Sequence, residues 1–214
     1  MTPMGVVAQD RVLAARSVAA LVAACAEGGV PRFVHFWGHR PRPDGSLGRG
    51  CFSQWWPSPF EVDGRTFASA EHWMMWRKAV LFDDAERAEQ VLAARSPAHA
   101  KALGREVRGF DEDVWAAHRW DVVVAGSVAK FDADDALRAY LLATGSRVLV
   151  EASPVDRVWG VGLAVDHPDA GVPARWRGLN LLGFALMEAR AVLAARAAGH
   201  VGGTSVRSRG GGAR

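Results

Sequence analysis

Ser69-Ala70-Glu71-His72-Trp73-Met74-Met75-Trp76-Arg77-Lys78 sets two opposite charges in a run of indoles and thioethers, and it reads as the opening of a helix. Ser69 is placed to cap the first turn with its hydroxyl, Glu71 suits the positive end of the helix dipole, and neither Gly nor Pro interrupts the run before Asp83. At ~100° per residue, Glu71 and Lys78 project from one face about two turns apart, with Met75 between them. A carboxylate and an amine then share a face with soft apolar surface. Such a pair ordinarily marks a solvated helix face. Composition tilts the reading toward chemistry: of 26 Lys and Arg residues only three are lysines, Lys78, Lys101 and Lys130. Lysine, unlike arginine, can lose its proton and attack an electrophilic carbon.

Outward from this helix the punctuation is mostly helical. Phe60 to Phe67 alternates about Asp63-Gly64 and predicts a β-hairpin. Phe33 to Trp37 and Arg147 to Glu151 read as short strands, and a polar loop from Gly38 to Gly50, leading to Cys51 to Pro57, reads either as plain surface or as a flexible rim over a pocket. Asp83 or Asp84 opens a helix through Arg95, Ser96-Pro97 another that Gly104 closes or bends, Asp111 a longer one to Phe131, and Asp134 or Asp135 a fourth. Arg11 to Ala26 predicts one Ala-rich helix after an unstructured residues 1–9; its apolar part is short and Arg16 breaks the approach, so it does not read as an export signal. Asn180 is placed to cap a last helix ending near Ala198, with free N–H groups suited to a phosphate. From Gly199 the Gly- and Arg-rich tail reads as disordered.

The fold class expected is mainly α: a single multi-helical domain with a small β element, a hairpin plus short strands. Its divisions are an N-terminal extension 1–32 with one helix, a catalytic domain 33–198 and a tail 199–214. With 214 residues, half of them apolar, the chain suits one core. A net charge of +3 rests partly on Arg207, Arg209 and Arg214 near the end, so no duplex-DNA footprint is implied. No stretch reaches the ~18 apolar residues of a membrane span. Cys25 and Cys51 cannot make a zinc site alone, and His72 lacks a second histidine at helical spacing, so neither metal nor cofactor is expected; a reducing cytoplasm is the simpler setting. Nine Trp against one Tyr supply flat faces on which a base can stack.

Four segments in register resemble the NADAR proteins, named for NAD and ADP-ribose metabolism: Phe52-Ser53-x-Trp55, Ser69 to Lys78, Asp156-x-x-Trp159-Gly160-x-Gly162, and Gly178-x-Asn180-x-Leu182-Gly183. The resemblance implies N-glycosidase chemistry on one of two substrates: ADP-ribosylated guanine, or the ribosylamine bond of early riboflavin intermediates. It further implies that Glu71 and Lys78 are the catalytic pair, with Lys78 as a nucleophile on the anomeric carbon. Trp159, Gly160, Gly162 and Asn180 then surround the ligand. Of the indoles, Trp159 is the first candidate to stack a purine, ahead of Trp55 and Trp176; Ser53 is a further binding candidate, and the helix opened by Asn180, with Arg177, is the candidate for the diphosphate. Gln54 and Val161 stand where some members carry Asn and Asp.

The partners expected are ADP-ribosylated guanine, free or carried on single-stranded DNA or RNA, or a small ribosylamine, and no membrane. The protonation state of Lys78 stays open at this level: apolar neighbours lower its pKa, whereas an ionised Glu71 close by raises it. A module that binds ADP-ribose or NAD without cleaving it, and a scaffold with a Trp-rich core, are the competing readings.

Overall fold

Helices α1 (Pro3–Ala14) and α2 (Val18–Ala26) replace the single helix expected near the N-terminus in the computed structural model, which describes residues 3–203. Ser17 divides them by accepting the N–H of Ala20 with its hydroxyl, because a side-chain cap offers the backbone a fresh start. Residues 3–9, expected to lack structure, belong to α1. Val12 and Leu21 are fully buried in the main core, so this segment packs as part of the body.

Strand β1 (Phe33–Phe36) is followed by the long loop and a 3-10 turn, Arg49–Phe52. The hairpin forms where expected: β2 (Phe60–Val62) pairs antiparallel with β3 (Arg65–Phe67) across Asp63 and Gly64, whose φ values of 50° and 73° are those of a tight primed turn. Helix α3 (Ala70–Leu81) begins after Ser69, but the Ser69 hydroxyl does not cap it. It pairs with His72 Nδ1 at 2.8 Å, while His72 Nε2 meets the Ala94 carbonyl oxygen.

Helices α4 (Ala85–Leu92), α5 (Pro97–Arg105), α6 (Glu112–Asp132) and α7 (Asp135–Leu142) open on side-chain caps from Asp84, Ser96, Asp111 and Asp134. Helix α4 stops three residues short of Arg95, and Gly104 lies inside α5. Strand β4 (Val148–Glu151) pairs in parallel with β1, Phe33 opposite Val148 and Phe36 opposite Glu151. Helix α8 (Leu181–Gly203) runs past the expected end at Ala198, taking in residues 199–203 of the stretch expected to be disordered; the remainder of that stretch lies outside the described residues. Helix α8 packs on α6 and β4, and α3 on α4, α5 and α6. Helix α3, with Glu71 and Lys78, is thereby packed against three other helices.

Among the described residues no helix is long and apolar enough to cross a membrane.

Candidate active site

A cavity of about 540 Å³ opens where α3, α5, the turn after β1 and the end of β4 meet. That volume lies within the range of small-molecule sites. Ser53, Trp55, Glu71, Lys78 and Trp159 all line it, so five side chains singled out in the sequence converge although they are spread over more than a hundred positions.

The turn that carries Ser53 and Trp55 is anchored from below. Lys130, fully buried on α6, donates from Nζ to the carbonyl oxygens of Cys51 at 2.6 Å and Ser53 at 2.8 Å. Burial pushes its pKa down to about 7. The carbonyl oxygen of Gln54 accepts the backbone N–H of Glu71 at 3.0 Å, satisfying one of the free donors in the first turn of α3. The turn and the helix therefore fix each other.

Glu71 is 2% exposed, and its Oε1 has no hydrogen-bond partner. Burial pushes its pKa up to about 7; the Lys101 charge and the Trp55 side chain oppose that rise, and Asp156 adds to it. Lys78 is half-buried; its Nζ donates to the Gly104 carbonyl oxygen at 2.9 Å and lies 3.7 Å from the centre of the Phe110 ring. Burial lowers its pKa, and the carboxylate acting against that shift is Glu112. Desolvation therefore prevails at Lys78, and the cations acting on Glu71 are Lys101 and, more weakly, Arg105. Helices α3 and α5 meet closely because residue 104 is a glycine: a Cβ there would sit 2.1 Å from Met75 Sδ. That contact brings Lys78, Lys101 and Arg105 onto one cavity.

On the far side, Glu151 ends β4 with its Oε2 enclosed and unpartnered. Burial pushes its pKa up to about 8, with Asp156 adding to the rise and Lys101 opposing it. The Asp156 carboxylate accepts the N–H groups of Val158 at 2.9 Å and Trp159 at 2.7 Å, a local turn that aims the indole. Among the described residues no three His, Cys, Asp or Glu side chains are grouped to hold a metal ion.

Gly160, Gly162, Asn180 and Arg177 do not line this cavity. The helix that Asn180 precedes is not open to a phosphate: the N–H groups of Leu181 and Leu182 already donate to the carbonyl oxygens of Val158 and Trp159. Asn180 itself is fully buried, at φ 52°, its amide bridging the Leu149 carbonyl oxygen and the Glu151 N–H. Gly160 lets the loop approach β4, since a Cβ would meet the Glu151 carbonyl oxygen at 2.9 Å. Gly162 takes φ 69° with the Arg157 and Arg177 side chains against it. Arg177 is exposed and reaches toward His167. Trp176 packs on Phe33 and donates to the Ala170 carbonyl oxygen. Of these residues, Asn180 and Gly160 support the cavity from behind, through the Glu151 backbone.

Residues 35–194 match the NADAR domain family, about three quarters of the chain. The chain belongs to the NADAR family. This NADAR protein is 40% identical over 164 residues to N-glycosidase R617 of Acanthamoeba polyphaga mimivirus, covering 74% of the chain and 95% of that protein. It is 33% identical over 145 residues to N-glycosidase YbiA of Escherichia coli, covering 68% of the chain and 82% of that protein. The NMR structure of the Escherichia coli protein YbiA superposes with a TM-score of 0.63 at 30% identity, over 78% of the chain and 87% of YbiA.

Within the NADAR cavity the sequence reading missed Lys101, Arg105 and Glu151, and used Asp156 only as a motif landmark. The rarity of lysine that drew attention to Lys78 applies equally to Lys101. Glu151 carries no such signal, because a charged residue ending a buried strand usually meets solvent.

The raised carboxyl pKa values have a thermodynamic sign. A group whose folded pKa exceeds its unfolded value contributes stability that is full below the unfolded value, near 4.5, and is lost as pH rises through the folded one, about 8 for Glu151. Lys130 and His72, with lowered pKa values, act in the opposite sense, so the test is a difference between proteins. Relative to wild type, Glu151→Gln is expected to melt at a higher temperature at pH 8 and to lose that advantage by pH 5. A difference independent of pH would place an ordinary carboxyl at position 151.

Proposed function

We propose that this protein is an N-glycosidase, a hydrolase that removes ADP-ribose from modified guanine. The observation that carries the reading is Glu71, buried with an unpartnered oxygen on the wall of a cavity lined also by indoles and by Lys78, Lys101 and Arg105. Breaking the bond between ribose C1 and a base nitrogen builds positive charge on the sugar and negative charge on the nitrogen. An anion beside the ring and a proton source beside the base answer both. Glu71 takes part in proton transfer and steadies the sugar cation. Lys78, once its proton is lost, attacks C1 of the opened sugar; the base nitrogen leaves with the C1–N electron pair and takes up a proton, and water hydrolyses the resulting imine to free ADP-ribose and the lysine. Burial favours the neutral amine, whereas the Gly104 carbonyl oxygen and the Phe110 ring hold the ammonium, so substrate has to draw Lys78 away from them.

Two features favour a dinucleotide-like substrate over a single pyrimidine. Trp37, Trp55 and Trp159 line one cavity, enough flat surface for both a guanine and an adenine. Lys101 and Arg105 lie beside them and are the cations suited to a diphosphate, in place of Arg177 and the α8 terminus. Both relatives described above are named N-glycosidases.

The test is mass spectrometry of a short single-stranded DNA carrying ADP-ribosylated guanine, incubated with wild type and with Lys78→Ala. Wild type is expected to restore guanine and the variant to fail, and borohydride added during turnover is expected to leave a covalent adduct on Lys78. Turnover that leaves no adduct, or a Lys78→Arg protein of near-normal rate, would remove the imine. If wild type leaves the DNA untouched, the phosphoribosylamino-pyrimidine of riboflavin synthesis is the next substrate, and failure there favours a binding module. Trp159→Ala is expected to raise KM by the ~1–3 kcal/mol of one stacked base; an unchanged KM would place the base on Trp37 or Trp55.

A further inference from the structure

The cavity holds more acid than one proton transfer from Glu71 requires. Glu71 on α3 and Glu151 at the end of β4 face it from opposite elements, and each carries an enclosed oxygen without a partner. The backbone of Glu151, by contrast, is held at both its N–H and its carbonyl oxygen. Its N–H donates to Asn180 Oδ1 at 3.0 Å, its carbonyl oxygen accepts the N–H of Val161 at 2.9 Å, and it closes the β1–β4 ladder opposite Phe36. Asn180 is held in turn by its bond to the Leu149 carbonyl oxygen, and Gly160 admits the loop against Glu151. The Asn180 and Trp159-Gly160 segments thus converge on the placement of one carboxyl. Unpartnered and enclosed carboxyl oxygens are costly to bury, and a rigid frame that keeps one facing a cavity suits a group waiting for a partner in the substrate.

We propose that Glu151 is a second catalytic carboxyl: as the acid, it gives its proton to the nitrogen of the departing base, while Glu71 acts as the carboxylate that faces the sugar. The assignment rests on the N-glycosidase reading above. As the C1–N bond breaks, its electron pair stays on nitrogen, which takes the Glu151 proton. The nucleophile that bonds to C1 passes a proton to Glu71. One proton has then crossed from one carboxyl to the other, and its return once the products leave restores the starting state. Glu151 is the member of the pair beside the proposed base platform, because Trp159 lies on the loop whose next residues, Gly160 and Val161, pack on the Glu151 backbone.

The surroundings fit this division. Glu151 shares the cavity lining with Glu71 and Lys78 of α3, Lys101 and Arg105 of α5, Asp156 of the following loop and His39 of the loop after β1. Asp156 Oδ1 is already engaged by two backbone N–H groups, whereas each glutamate keeps an enclosed oxygen without a partner. Burial pushes both glutamates toward the protonated form; Lys101 opposes this at both, and the Trp55 side chain and the Arg105 charge oppose it further at Glu71, the carboxylate of the pair.

The experiment is the single-turnover release of ADP-ribose from a single-stranded oligonucleotide carrying ADP-ribosylated guanine, from pH 5 to 9, with wild type, Glu151→Gln and Glu151→Asp. Glu151→Gln is expected to be at least ~100-fold slower than wild type, the lower end of what a positioned acid contributes. Substrate affinity should stay within about threefold of wild type, and the fall in rate at alkaline pH, where the acid loses its proton, should disappear. Glu151→Asp should keep that alkaline fall at a reduced rate, and it decides the matter if the Gln variant does not fold. A Gln variant that keeps the alkaline fall, or either variant within about threefold of wild-type rate, overturns the role. A wild-type protein that releases no ADP-ribose overturns the underlying activity, a result distinct from a working wild type beside a fully active variant.

Discussion

Glu71→Gln is expected to slow base release by roughly 10²–10⁴-fold, the range for a positioned proton-transfer group, while making the folded protein more stable at pH 8. Both effects come from one fact, the burial of this carboxyl at 2% exposure with an unpartnered oxygen. Its pKa of about 7 means that the folded state resists ionisation that the unfolded chain accepts freely near 4.5. Above pH 7 the carboxylate is a burden of roughly 2–4 kcal/mol on folding, and the neutral amide relieves it. Below pH 5 wild type is itself neutral at this position, so the gain should vanish. Single-turnover kinetics and melting curves at pH 5 and pH 8 read the two arms. A variant that loses activity without gaining stability at pH 8 would mean that Glu71 finds an ionic partner in the resting enzyme. A gain in stability with activity intact would take Glu71 out of the chemistry.

The largest expected effect on stability is at Gly183. A Cβ at this position would lie 2.1 Å from the Leu149 carbonyl oxygen and 2.5 Å from the amide nitrogen of Asn180, and the first of these is backbone that cannot swing aside. Gly183→Ala is therefore expected to destabilise the protein by about 3 kcal/mol or more, beyond ordinary overpacking, with loss of soluble expression as the first sign. The control is Gly171→Ala, where a Cβ meets nothing within 4 Å and φ is unremarkable, so the change should stay within about 0.5 kcal/mol. Urea unfolding of the two variants measures the difference. Equal midpoints would mean that α8 can shift away from β4. Because Asn180 also holds the Glu151 backbone, any Gly183→Ala protein that does fold should be slow as well as unstable.

The local features were legible in the sequence because their causes lie within a few residues. Asp84, Ser96, Asp111 and Asp134 cap the helices they precede, and Asp63-Gly64 turns the hairpin; each is an interaction of a side chain or backbone with its near neighbours. Where a competing partner entered from elsewhere, the local rule failed. Ser69 gives its hydroxyl to His72, whose ring is held on its other side by the distant Ala94 carbonyl oxygen, and the N-terminus of α8 meets the 158–159 carbonyl groups, so the phosphate site expected there is closed by the chain itself.

By itself the sequence determined the mainly helical order of elements, the position of α3 with Glu71 and Lys78 on it, and, through four short segments in register, the family. Only the tertiary structure decided which side chains meet. Parallel pairing of β1 with β4 and the close contact of α3 with α5 over Gly104 place Glu151 and Lys101 around Glu71, contacts between residues far apart in the chain that no short-range periodicity encodes. The protonation states follow from the same packing, since desolvation raises the two glutamates and lowers Lys78 and Lys130. Desolvation is a property of the whole folded volume, and a linear sequence states it only through the fold it produces.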